Sequence, residues 1–485
     1  MSTLSASALR HLLGEWRGDG PALRALADRI ALLLLDGRIP SGTRLPAERE
    51  LAAALSVSRT TVAAAYARLR EQHHLHSVRG SGSVLTLPPT GPAAAPPHRT
   101  TPTTGPTADP TAAPAVVDLT RAVLPAAPVV ADAVEAAAAD LRAHLPGDGY
   151  ELLGVPALRQ AVADRYTARG LPTTAEEVLV TLGAQHAVGL LCRATLRPGD
   201  RVLVESPGYP HALDAARAAG GRPVAVPVTA ATAGDPGGWD ETVLDDAFTR
   251  TRPSLAYLMP GFQNPTGAVM PAALRRRVVE LARRHGTRLV VDETTNELGF
   301  HGDVPPPFPG DVLHVGSVAK TLWGGLRIGW VRADARTVRH LAAHRAPWEL
   351  GTPVLEQLVV ARCLPRLDDV LPGRRAELRR RHDALAAELA ATVPEWDVPR
   401  VDGGLALWVQ LPAALSSALA VAARRYGVLL TAGPRFGVDG AFERHLRIPF
   451  GADAPALRSA VHLLARAWQD AGAGAPLPRS FEVLV

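Results

Sequence analysis

The 485-residue sequence predicts an α/β protein built as two folded parts joined by a linker. Three observations predict this. From residue 116 onward, short apolar runs alternate with stretches of helical pattern, which argues for a mostly parallel sheet covered by helices. Residues 20–87 instead carry three helical patterns followed by two short strand-like runs. Between them, residues 88–115 are mostly Pro, Thr, Ala and Gly, with almost nothing to bury.

Composition sets the outer limits. An apolar fraction of 47% supports a large core, and the length leaves room for two or three domains. The longest apolar run, Ile30 to Leu35, is far too short to span a bilayer. Met1 to Arg10 lacks the basic-then-apolar order of a signal segment. Cys192 and Cys363 fall in apolar helical contexts and read as buried thiols, not a disulfide framework. A cytoplasmic protein with no membrane partner and no metal site is the expectation. The net charge of +5 is mild for this length and says little about nucleic acid.

In the first part, Leu23, Leu26, Ala27, Ile30, Leu33 and Leu34 recur at helical spacing. A second helix starts near Pro46-Ala47-Glu48, where proline and an acid suit a first turn. A third follows Ser58 as N-cap, with Val62, Ala65, Tyr66 and Leu69 inward and Arg59, Thr60 and Thr61 outward. Outward residues at a helix N-terminus are what a recognition helix offers to base edges and phosphates. Leu75–Val78 and Ser83–Leu87 then read as a hairpin with a basic, glycine-bearing tip. The segments Leu45 to Ala52, Val57 to Val62, Ala65 to Leu69 and Gly80 to Ser83 resemble the winged helix-turn-helix of GntR-type bacterial regulators. The resemblance implies DNA contacts by Arg49, Ser58, Arg59, Thr60, Thr61 and Gly80. As a coil the linker would span on the order of 30 Å, so the two parts are expected to move relative to each other.

In the second part, from 116 to 485, strand-like runs appear at Val178–Leu182, Val202–Glu205, Pro223–Val228, Leu255–Met259, Leu289–Asp292, Val312–Ser317 and Gly329–Val331. Ligands on such sheets bind beyond the carboxyl ends of strands, and the residues that carry chemistry follow strand ends here. Gly183-Ala184-Gln185 opens a helix, whose free N–H groups favour an anion. Tyr209 offers an aromatic face, and Asn264 an amide beside a Pro-Thr-Gly turn. Asp292 ends an apolar strand, so it wants a cationic partner. Lys320 follows a buried run, where an amine is useful once neutralised or converted to a Schiff base. Ser317 and Arg327 stand around it as phosphate donors. Singly, each has a plainer reading: an ordinary turn, a rim aromatic, a structural salt bridge, a surface lysine.

Taken together in this order, they resemble the fold-type I aminotransferases, which use pyridoxal 5'-phosphate (PLP). The resemblance covers nearly all of this part. It implies Gly183, Ala184, Gln185, Ser317 and Arg327 at the phosphate, Tyr209 stacked on the ring and Asn264 at the ring oxygen. It implies Asp292 at the ring nitrogen and Lys320 as the Schiff-base lysine. A smaller domain from about residue 345 would supply Arg447, in Arg447-Ile448-Pro449-Phe450, for a ligand carboxylate. Tyr150 resembles the residue that reaches the neighbouring subunit's phosphate. One departure is that Thr294 and Thr295 stand where the family usually carries a tyrosine, which makes transamination less expected.

A GntR-like head on an aminotransferase-like body resembles the MocR-type regulators. That implies a homodimer on double-stranded DNA with paired half-sites, and PLP or a small amino compound as effector. The alternative is an active PLP-dependent aminotransferase with an appended DNA-binding domain. A third option is a regulator whose body serves only for dimerisation.

Overall fold

The computed structural model describes residues 2–18, 20–78, 82–87, 116–232, 235–302 and 304–473. The tip residue Gly80 and the linker 88–115 lie outside the described residues.

The head opens with a helix that periodicity did not single out, α1 (Ala6–Leu13), capped by Ser5 Oγ, which accepts from Ala8 N at 3.1 Å. Then come α2 (Ala22–Leu35), α3 (Glu48–Leu55) and α4 (Arg59–Glu71). The antiparallel pair β1 (Leu75–Val78) and β2 (Gly82–Leu85) follows. Leu9, Leu13, Leu26, Ile30, Leu51, Val62, Tyr66 and Leu69 form one core. The Tyr66 hydroxyl donates to Pro46 O at 2.9 Å, which fixes α4 against the approach to α3.

In the body, β3 (Val117–Asp118), α5 (Val129–Asp140) and α6 (Pro156–Ala168) lead into the main sheet. Its elements follow as β4 (Val178–Thr181), α7 (Gly183–Thr195), β5 (Arg201–Ser206), α8 (Pro210–Ala218), β6 (Arg222–Thr229) and β7 (Gly238–Trp239). Next come α9 (Glu241–Thr251), β8 (Leu255–Leu258), α10 (Ala272–His285), β9 (Arg288–Asp292), β10 (Leu313–Ser317) and β11 (Gly329–Arg332). Among the described residues this sheet has eight strands in the order β4-β11-β10-β9-β8-β5-β6-β7. β5, β6, β8, β9 and β10 run parallel, while β11 and β7 run antiparallel to their neighbours. The near-continuous apolar character of these strands follows from burial on both faces.

The remaining elements are α11 (Ala335–Arg345), α12 (Val354–Cys363), α13 (Leu367–Thr392), β12 (Ala406–Gln410), α14 (Ser416–Ala423), β13 (Val428–Leu429), β14 (Thr431–Ala432), β15 (His445–Pro449) and α15 (Ala454–Ala473). The sequence boundary near 345 is not where the packing changes. Leu358, Cys363, Leu367 and Leu371 pack with α5 and α6, whereas Leu378, Leu385 and Leu389 pack with β12, β15 and α15. The change falls inside α13, near Pro372. The smaller core also takes back an early segment, because β3 pairs with β13, and Leu119 and Leu124 join that core. This return puts residues 118–123 beside the strand ends of the main sheet. Both cysteines are buried, as their apolar contexts suggested.

Head and body are interlocked. Leu32 of α2 belongs to the small-domain core, and Val421 of α14 belongs to the head core. The Arg29 side chain, 1% exposed, crosses the joint. It donates to Leu13 O at 3.1 Å and Gly440 O at 3.4 Å, and pairs with Glu443 at 3.5 Å. An apolar run with no polar face, Ile30 to Leu35, is therefore a helix covered on both sides.

Candidate functional site

The carboxyl ends of β4, β5, β8, β9 and β10 open onto one cavity of about 470 Å³. Gly183, Ala184, Gln185, Tyr209, Asn264, Asp292, Ser317, Lys320, Arg327 and Arg447 all line it. The sequence spread these ten residues over more than half the chain. Parallel strands bring most of them together because each crossover returns the chain to the same edge, and β15 of the smaller sheet adds Arg447.

Lys320 lies just past β10, and its Nζ donates to Ala122 O at 2.8 Å. Enclosure by protein pushes its pKa down to about 8. Arg447 and Arg327 add to that, and Asp292 opposes it. The amine thus loses its proton at a lower pH than an ordinary lysine.

Asp292 is 2% exposed at the end of β9. Its Oδ2 accepts from the Tyr257 hydroxyl at 2.6 Å, and its Oδ1 accepts from Thr294 N at 2.9 Å and Thr294 Oγ1 at 2.6 Å. Burial pushes this carboxyl up, and these bonds pull it back. A cation in the cavity would complete that pull. Thr294 is therefore spent on holding Asp292, and the Thr295 hydroxyl donates to Gly261 O at 2.7 Å. Tyr257 was missed by sequence reasoning. Its only signal is its place near the end of a strand adjacent to β9.

Asn264 sits in a turn built on Gln263. The Gln263 Nε2 donates to Glu205 Oε2 at 3.1 Å and Pro207 O at 2.8 Å, while its Oε1 accepts from Thr266 N at 3.0 Å. Glu205 is buried at the end of β5, and burial pushes its pKa up to about 7. Tyr209 precedes α8, and burial together with Asp292 pushes its pKa up to about 12.

At the other end, Gly183 opens α7 with φ +77°, a backbone that side-chain-bearing residues resist. Arg327 bends over it, Nη2 donating to Leu182 O at 3.3 Å. Ser317 Oγ donates to Ile328 O at 2.8 Å and accepts from Ala319 N at 3.1 Å, which ties the lysine loop to β11. Gln185 Oε1 has no partner among the described residues.

Arg447 projects from β15 across the cavity. Its guanidinium lies 5.0 Å from the centre of the Phe436 ring and donates to Thr120 O. Its Nε has no partner among the described residues, and burial pushes its pKa down to about 10. An anion beside it would remedy both. Sequence reasoning also missed Thr120, Ala122, His211, Arg435 and Phe436 as cavity residues, along with Asp36 of the head.

On the head, Arg49, Ser58, Arg59 and Thr60 are exposed and Thr61 is half-buried. Ser58 Oγ accepts from Thr61 N at 3.0 Å and caps α4. The Arg59 guanidinium, 3.7 Å from Glu48, stays mostly in solvent.

The donor set fits PLP. If PLP were bound, Lys320 would offer an amine to its aldehyde, Asp292 a carboxylate to its ring nitrogen, and the start of α7 with Arg327 a seat for its phosphate.

Comparison with known proteins agrees with this geometry. Residues 126–464 match the family described as aminotransferase class I and II, and residues 23–85 match the bacterial regulatory proteins of the gntR family. The 2-aminoadipate transaminase of Thermus thermophilus is 32% identical over 357 residues, 69% of this chain and 85% of its own. The probable rhizopine catabolism regulatory protein MocR of Rhizobium meliloti is 32% identical over 335 residues, 64% of this chain and 65% of its own. Among solved structures, the α-aminoadipate aminotransferase LysN from Thermus thermophilus superposes with a TM-score of 0.65 at 30% identity. The match covers 74% of this chain and 94% of LysN, which was solved with N-(5'-phosphopyridoxyl)-L-leucine. Fold and site thus define a fold-type I aminotransferase body that carries a GntR-type helix-turn-helix head. With that combination, the chain belongs to the aminotransferase class I and II family and, within the GntR regulators, to the MocR-type subfamily.

Proposed function

We propose that this chain is a transcription regulator that binds PLP, binds operator DNA as a homodimer and senses PLP or an amino compound through its body. The observation that carries the reading is Lys320. It is a lysine with a depressed pKa, facing a cavity that also holds Asp292, Arg327 and Arg447, in a chain whose head is a GntR-type module.

PLP, when bound, supplies an aldehyde that condenses with amines and a ring that accepts electron density. The chain's own residues do the rest. Lys320 Nζ is the attachment point. Gly183, Ala184, Gln185, Ser317 and Arg327 hold the phosphate, Tyr209 covers the ring and Asn264 donates to the ring oxygen. Asp292, whose ionised form the Tyr257 and Thr294 bonds favour, pairs with the ring nitrogen. Arg447 takes the effector carboxylate as a two-pronged donor.

The head, residues 20–87, reads DNA with Arg49, Ser58, Arg59, Thr60 and Thr61, and with Gly80 at the tip. The linker 88–115 joins it to the body, 116–485, in the cytoplasm. No helix among the described residues is long and apolar enough to cross a membrane. A homodimer is supported by exposed apolar residues on two adjoining loops of the body, Leu145, Tyr150 and Leu152 with Trp348 and Leu350. Two heads would then meet paired half-sites.

The second reading, a working aminotransferase with a DNA-binding head, is favoured by the near-complete donor set and by the identity to the 2-aminoadipate transaminase. Against it, Thr294 is occupied by Asp292, and no tyrosine stands at the expected place. Turnover of an amino donor with a keto acid separates the two. The sensor reading expects amines to change the spectrum of the PLP-loaded protein without sustained turnover; steady turnover would establish the enzyme.

A further inference from the structure

We propose that the DNA-binding head is itself part of the effector site: Asp36, at the C-terminal end of α2, forms the outer wall of the cavity and discriminates among amino compounds by the charge at their far end. This deepens, and rests on, the PLP reading above.

Among the described residues, two carboxylates line the cavity, Asp292 and Asp36. Asp292 is buried at a strand end near Lys320, whereas Asp36 is open to the cavity from the head. Asp36 is not a stray loop residue. Its N–H closes α2 by donating to Leu32 O at 2.8 Å. The helix is anchored one turn earlier, where Leu32 enters the small-domain core, and two turns earlier, where Arg29 grips Gly440 and Glu443. The anchoring holds Asp36 in a fixed place relative to Lys320.

Around Asp36 the charge is otherwise positive. Crowding by protein leaves its carboxyl above the ordinary carboxylate range, although Arg424, Arg435, Arg38 and Arg29 pull it back toward the ionised form. Arg435 lies in the cavity wall, held by Asp214 at 3.1 Å through Nη1. Arg121 stands in the same wall. With Lys320, Asp292 and Arg327 assigned to the cofactor and Arg447 to the carboxylate, a longer effector has Asp36, Arg121, His211 and Arg435 left to meet. Asp36 is the one acidic side chain in that remainder, and a cation beside it would complete its ionisation. It opposes an acidic far end and favours a basic one, and its removal must shift preference toward acids.

The wall is continuous with the joint. Arg435 and Phe436 line the cavity, and a few residues on, Asp439 O accepts from Glu15 N of the head at 2.8 Å. A β-carbon on Gly440 would lie 2.3 Å from Arg29 Nη2, so the contact leaves no room for a side chain there. An effector that gains or loses at Asp36 does so only while the head is docked. By linkage, its binding and the head's position on DNA must affect each other equally.

The test uses the full-length, PLP-loaded protein and three six-carbon probes: L-norleucine, L-lysine and L-2-aminoadipate. Each is titrated while the absorption of the bound cofactor is followed, in the wild type and in Asp36→Asn and Asp36→Ala. The expected result is that the ratio of apparent Kd for lysine over that for 2-aminoadipate rises at least about fivefold in both variants, with norleucine little changed. An unchanged ratio, or no spectral response to any probe, overturns the role of Asp36 and leaves the PLP reading standing. A wild type that takes up no PLP sinks the PLP reading, and this inference with it.

Discussion

The Tyr257 hydroxyl donates to Asp292 Oδ2 over 2.6 Å, from one parallel strand to the next. Burial holds this carboxyl, 2% exposed to solvent, above the ordinary carboxylate range, and the Tyr257 bond opposes that rise and favours the ionised form that a cationic partner would pair with. Tyr257→Phe keeps the ring packing and deletes the bond. The expected result is a loss of about 1–2 kcal/mol in PLP binding, roughly five- to thirtyfold in Kd. Fluorescence titration of the PLP-free protein checks it, and an unchanged Kd would remove Tyr257 from the account.

Lys320→Ala should take up PLP only reversibly. The phosphate seat at the start of α7 remains, but the attachment point is gone. The visible absorption should disappear after gel filtration, while the wild type stays coloured. Retained colour in the variant would move the attachment point elsewhere.

The pH dependence of PLP uptake follows from the sign of the lysine shift. The Lys320 pKa is lowered to about 8, so the neutral amine, which attacks the aldehyde, grows as pH rises through that value. Uptake rates should climb from pH 6.5 to about 8 and flatten above it. A rate still rising tenfold per pH unit beyond 9 would mean that the lysine is not depressed.

Arg29→Met should loosen the head. It leaves Glu443, still bonded by Ser417 N at 3.0 Å and by Ser417 Oγ at 2.5 Å, without its cation. Removing one partner of a buried ion pair costs about 3 kcal/mol or more. Hydrogen exchange should rise across α1 and α2 while the main sheet stays protected. Equal protection in both proteins would show that the joint does not depend on this pair.

Arg59→Ala should weaken DNA binding and reduce the salt slope by about one, with PLP uptake unchanged. A variant with wild-type affinity and slope would take Arg59 off the DNA.

The alternation of strand and helix was legible because each central strand is apolar on both faces, and the strand ends could be read from the polar residues that follow. Nine of the ten cavity residues follow such strand ends, whereas Arg447 was named only from the resemblance of Arg447-Ile448-Pro449-Phe450 to the family. Helix α1 was not read, although Ser5 before Leu9, Leu13 and Gly14 carries the signal of a short capped helix. The return of β3 to β13 was invisible, since a two-residue parallel pair formed across some three hundred residues leaves no local pattern. Docking of the head was half-legible. Ile30 to Leu35 is apolar all round, which demands cover on both sides, but nothing local says which surface supplies it. Asp36 was missed for that reason, because its role exists only once the joint is formed.

The most direct test is binding of the purified protein to the DNA upstream of its own gene, at one fixed salt concentration, in PLP-free, PLP-loaded and amine-treated forms. Specific binding whose affinity or footprint changes among the three forms is the predicted result. No specific binding, or the same affinity and footprint in all three, would contradict the account.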